Sequence, residues 1–116
     1  MLKKFICIIM LSAGSAVAGE AVVEGAEASK SGESWNFSVT VSHADEGWDH
    51  YADGWRVDSP DGAELGYRKL VHPHVNEQPF TRSLGGVSVP DDMKEVTIRA
   101  NDNVHGWGAP FALTLP

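Results

Sequence analysis

Cysteine is all but missing from this chain. Cys7 is the single one in 116 residues, and it falls inside an apolar stretch, residues 5–18. If that stretch is a leader, the remainder has no thiol at all, which excludes disulfide cross-links and thiolate catalysis there. Basic residues are scarce as well: 9 Lys and Arg stand against 16 Asp and Glu, a formal net charge of −7. Without Lys3 and Lys4 the balance becomes 7 against 16, or −9. No Lys/Arg cluster offsets the repulsion of a polyanion, so nucleic acid is not an expected partner. The balance suits cations, basic partners or plain solubility. Beyond residue 18 no long apolar run follows that would hold the chain in a membrane. There is also no Gly-x-Ser-x-Gly elbow, no His-Glu-x-x-His helix and no helical period of apolar residues.

What is present begins with Met1-Leu2-Lys3-Lys4, the apolar stretch, and Ala16-Val17-Ala18 before Gly19. A basic start, a short apolar segment and a small-x-small site predict a signal peptide over residues 1–18, with the exported domain at 19–116. The expected location is periplasmic or secreted. A domain of about 100 residues without disulfides then depends on its core, or on a core plus a bound metal.

Residues 35–43 alternate apolar and polar, placing Trp35, Phe37, Val39 and Val41 on one face of a strand. Ser59-Pro60-Asp61-Gly62 is a tight-turn tetrad that joins strands near 51–58 and 64–72. A second reversal lies at residues 87–92. After it Val96, Ile98 and Ala100 alternate inward, and Phe111, Leu113 and Leu115 repeat the pattern. With strands near 21–28 and 80–89 the total is about seven. The predicted fold is all-β, an antiparallel β-sandwich of immunoglobulin or fibronectin III type, with a small barrel as the second choice.

The five histidines occupy three loops: His43 and His50, His72 and His74 around Pro73, and His105. If successive strands alternate direction, these loops emerge at one end of the sandwich, and the two tight turns emerge at the other. Binding sites are commonly built on such loops. In an extended His-Pro-His segment both imidazoles share a side, as a chelating pair requires. The expectation is therefore a mononuclear metal site, with His72, His74 and His105 leading, His50 or His43 completing it, and Asp49 or Asp102 as carboxylate ligands. Imidazole without thiolate favours Cu(II) or Zn(II), and a carboxylate ligand brings in Fe(II). A carboxylate can instead hold a ligand's second ring nitrogen. A non-thiolate redox site is the enzymatic reading these residues allow.

Trp35 and Trp55 sit in strand patterns and read as core. Trp48 and Trp107 lie in the histidine loops. With Arg82 they define the alternative, a non-enzymatic accessory module engaging a protein or glycan through the same pole. Glu77 and Arg82 are expected to pair structurally.

The blocks Gly47-Trp48-Asp49-His50-Tyr51-Ala52-Asp53-Gly54-Trp55, His72-Pro73-His74 through Ser83, and Val104-His105-Gly106 resemble a family of small, uncharacterised exported bacterial proteins. That resemblance covers the chain from about Trp35 onward and implies no established activity. A weaker likeness is to the iron-binding domain of desulfoferrodoxin and superoxide reductase, an immunoglobulin-like sandwich that holds iron with four histidines and a cysteine. His50-Tyr51 is followed here by Trp55, one residue later than in that family's His-Tyr-x-x-Trp. Asp102 stands where the thiolate of its Cys-x-x-His-Gly would be. The likeness implies a histidine-rich site on a similar fold.

Overall fold

The computed structural model describes residues 19–116; the signal-peptide reading of residues 1–18, and Cys7 with it, lies outside the described residues. The described residues are all β, in two antiparallel sheets. Eight strands run in order: β1 Val22–Ser31, β2 Ser34–Ser42, β3 Ala52–Asp58, β4 Glu64–Lys69, β5 Phe80–Val87, β6 Glu95–Asp102, β7 Gly106–Trp107 and β8 Phe111–Thr114. The smaller sheet has the order β1-β2-β5. The larger runs β4-β3-β6, and β7 and β8 both pair with the far side of β6. The short β7 is an addition to the seven expected strands.

Period-two alternation sets which side chains go inward. On β2 the inward residues are Trp35, Phe37, Val39 and Val41, and on β6 they are Val96, Ile98 and Ala100; all are buried. Each such side chain contributes roughly 1.5–3 kcal/mol when it leaves water. Trp55 and Val57 of β3, Leu70, and Phe80 of β5 fill the space between the sheets.

Three irregularities keep apolar residues inward where strict alternation fails. A bulge between Val23 and Gly25 resets β1, so Val23 is buried and Ala26 and Ala28 still pack on the core. A second, opposite Trp35 and Phe37, lets both Leu84 and Val87 of β5 face in. The third, between Ala52 and Gly54, turns both Ala52 and Trp55 inward. Bulges of this kind insert one residue and change the phase of the strand.

The Ser59-Pro60-Asp61-Gly62 turn forms as its residues dictate. Gly62 sits at φ +97°, where L side chains are disfavoured, and its N–H donates to the Ser59 carbonyl at 2.9 Å. This turn and the β5–β6 connection close one end of the sandwich. The β2–β3, β4–β5 and β6–β7 connections close the other, and these carry the histidines.

Candidate metal centre

Two strands from opposite sheets end at this pole in the same phase. On β2 the inward series Trp35, Phe37, Val39, Val41 continues one step beyond the strand to His43. On β6 the series Val96, Ile98, Ala100 ends at Asp102. Both polar side chains are buried, His43 at 6 % exposure and Asp102 at 0 %. An imidazole and a carboxylate therefore cap the apolar core at the point where the sheets meet.

Asp102 is fixed from behind. Its Oδ1 accepts the backbone N–H groups of Val104 and His105, each at 2.7 Å, the local turn that Asp side chains favour. Its Oδ2 faces three rings: His105 Nδ1 at 2.9 Å, His43 Nε2 at 3.2 Å and His50 Nε2 at 3.5 Å. Burial pushes this carboxyl up, but the His105 N–H, the His105 ring and the Val104 N–H outweigh it and hold the group down at about 2. It is a carboxylate at neutral pH.

On two of these rings, His43 and His50, the second nitrogen is occupied by another carboxylate. His43 Nδ1 lies 2.6 Å from Asp45 Oδ1, and His50 Nδ1 lies 2.9 Å from Glu46 Oε1. Asp45 is itself buried and accepts the Ala52 N–H at 3.0 Å and the His74 N–H at 2.7 Å. The Glu46 contact is held by a loop that closes on itself, with Glu46 N–H to the His50 carbonyl at 2.8 Å and His50 N–H to the Gly47 carbonyl at 3.2 Å. Asn103 fastens this loop over the β6 end: its Oδ1 accepts the Tyr51 N–H at 2.9 Å and its Nδ2 donates to the Trp48 carbonyl at 3.2 Å. Glu46 above all draws the His50 pKa up, burial works against it, and Asp102 adds to the rise.

A neutral imidazole has one N–H. When that proton sits on Nδ1 and faces Asp45, His43 Nε2 presents a lone pair to two acceptor oxygens, Asp102 Oδ2 and the Gly19 carbonyl at 2.9 Å. His50 Nε2 is likewise buried with no hydrogen-bond partner among the described residues, Asp102 Oδ2 lying 3.5 Å away. With that tautomer, a bound cation would satisfy these atoms. His43, His50 and Asp102 each offer one ligand atom, and the three lie within 4.8 Å of one another. Tetrahedral bonds of 2.0–2.1 Å, as zinc makes to nitrogen and oxygen, imply ligand–ligand edges of about 3.3 Å. The 3.2 and 3.5 Å separations at Asp102 are within a few tenths of that edge.

His105 borders the group, its ring 5.0 Å from that of His50, while His43 and His50 meet edge to face at 4.7 Å. His72 and His74 form a separate pair with ring centroids 4.6 Å apart. Their segment lies beyond the end of β4 and is not a strand. The His74 ring is instead flat on Phe80, 3.9 Å away and tilted by 10°, and its Nε2 accepts from Arg82 at 2.9 Å. Burial, then Arg82 and His72, push the His74 pKa down. Asp45 bridges the two histidine groups, through the His43 ring on one oxygen and the His74 backbone on the other. Asp49 is exposed and outside the three-residue group.

The aromatic residues of the pole divide. Trp48 is 64 % exposed and meets Tyr51 edge to face. Trp107 is half-buried, with the Arg56 guanidinium 4.5 Å over its ring and Tyr67 at its edge. Arg82 serves His74 and also pairs with Glu77 at 3.6 Å. Trp35 and Trp55 are core. Asp45 and Glu46, which orient the two imidazoles, stand outside the expected ligand set. Their signal is proximity in sequence, two residues after His43 and four before His50.

The chain is similar to a protein of Halomicrobium mukohataei named "Putative lipoprotein", with 42 % identity over 87 residues. The match takes in 75 % of this chain and spans 42 % of the length of that relative. No family model matches the chain, and no solved structure matches it.

Proposed function

We propose that this is an exported β-sandwich that binds one divalent transition-metal ion, Zn(II), Cu(II) or Fe(II), through His43 Nε2, His50 Nε2 and Asp102 Oδ2. One observation carries the reading: two imidazoles, each held at Nδ1 by its own carboxylate, turn their Nε2 atoms toward a single buried carboxylate oxygen. Carboxylate–histidine–metal arrangements fix the tautomer and raise ligand basicity in this way. Two imidazoles and one carboxylate suit zinc, copper or non-haem iron. His105 stands at the rim, its Nδ1 2.9 Å from the same Asp102 oxygen. Export is supported by the leader-like residues 1–18 and by the lipoprotein description of the Halomicrobium relative.

The test is metal content and affinity of the untagged, exported protein. One Zn, Cu or Fe per chain by mass spectrometry is expected, with His50→Ala weakening binding at least tenfold. His72→Ala, remote from the three ligands, is expected to leave affinity unchanged. A metal-free protein whose thermal midpoint ignores added Zn(II), Cu(II) and Fe(II) overturns the reading.

A further inference from the structure

Gly19 lies against this site. The Gly19 carbonyl oxygen lies 2.9 Å from His43 Nε2, within a few tenths of an ångström of the ligand–ligand edge of about 3.3 Å for tetrahedral zinc. A Cβ on Gly19 would come within 2.8 Å of His105 Cε1, so glycine lets the backbone run directly beneath that ring. Gly19 also adopts φ +85°. The next residues hold it there. Ala21 is 1 % exposed, and a Cβ on Gly108 would run into the Ala21 carbonyl and the Glu20 side chain. Gly108 itself is tied to β6, its N–H donating to the Ala100 carbonyl at 2.7 Å.

Gly19 is also the residue that follows Ala16-Val17-Ala18, where leader removal is expected. Cleavage there converts the Gly19 amide nitrogen into an α-amine. An amide nitrogen is a poor donor to a metal, whereas an α-amine, with a reference pKa of about 7.7–8.0, offers a lone pair near neutral pH. Within one residue the nitrogen and carbonyl oxygen are separated by two bonded carbons. When both face one ion they close a five-membered ring on it.

We propose that the α-amine freed at Gly19 is a ligand of the metal site, chelating together with its own carbonyl oxygen beside His43, His50 and Asp102. This rests on the metal reading above and deepens it: export finishes the site. The precursor has two imidazoles and a carboxylate, and processing adds a third nitrogen. Metal is then gained in full only after the chain has left the cytoplasm.

The experiment compares the exported wild type with a variant carrying one Ala inserted between Ala18 and Gly19, the start of each mature chain being established by intact mass. Cu(II) is the probe, read by competition for affinity and by electron paramagnetic resonance for coordinated nitrogens. The wild type is expected to begin at Gly19, and the inserted chain to bind Cu(II) at least tenfold more weakly with one nitrogen fewer. N-terminal transamination of the wild type, which removes the α-amine and leaves every lysine intact, is expected to give the same loss, and it decides the matter if the inserted chain does not fold. Equal affinity and equal spectra overturn the amine ligand and leave the side-chain site standing. A wild-type chain that begins elsewhere also overturns it. If no form binds Cu(II), Zn(II) or Fe(II), both proposals fall.

Discussion

Asp45 shows how much one side chain organises. Its carboxylate is buried and satisfied by a ring nitrogen and two backbone N–H groups drawn from three segments of chain. A buried charge persists only when its lone pairs are met in this way. His74, which gives one of those N–H groups, has its ring pKa pushed below the ordinary histidine value by burial, with Arg82 and His72 adding to the effect. As pH falls, the unfolded chain takes up this proton before the folded one does. The contribution of His74 is therefore complete above about pH 6.5 and is lost as pH drops through the lower folded value. His74→Phe keeps the stack on Phe80 and removes the proton. The stability of wild type relative to this variant is expected to decline between pH 7.5 and 5 in urea titrations. A constant difference would show that the ring takes up its proton equally in the folded and unfolded chains.

At the scale of strands, the inward face of β2 carries the weight. Phe37 is fully buried between the sheets, and Phe37→Ala is expected to cost about 3–5 kcal/mol in chemical denaturation. Thr40, one of the outward residues, only shares an exposed hydroxyl contact with Thr81, and Thr40→Ala is expected to cost less than about 1 kcal/mol. This asymmetry was readable in the sequence, since residues 35–43 and 95–100 keep strict alternation and cannot pack in another phase. The bulges were not readable, because each depends on which partner strand has one residue too many. Nor was β7, whose two residues are too short to show a period. The placing of loops at one pole follows from alternating strand direction and needs no side-chain detail. The division within the pole does need it: Val71 to Pro79 leaves the strand conformation, so the side on which the His74 ring lies is set by Phe80 and Arg82 rather than by pleating, and the His72 ring packs against His74. The partnership of Asp45 and Glu46 with imidazoles depends on how one short loop closes.

Across the whole molecule, His43 directly follows a strand of the smaller sheet and Asp102 ends a strand of the larger, so an ion held by both joins the two layers. Binding to the folded state alone stabilises it by about 2.7 kcal/mol when free metal exceeds Kd a hundredfold. For a domain of this size that is a rise in Tm of roughly 10–20 °C. The expected result is a Tm that climbs with added Zn(II) or Cu(II) and returns to its starting value with a chelator, measured by calorimetry. The same two residues have a consequence even without an ion. They end their strands on the inward phase, so sliding either strand by a single residue would swing the imidazole or the carboxylate out to solvent and strand its partner among aliphatic side chains. The polar cap is thus a gauge of alignment: a misregistered sandwich cannot close over it, and the sequence discriminates against its own near-miss folds.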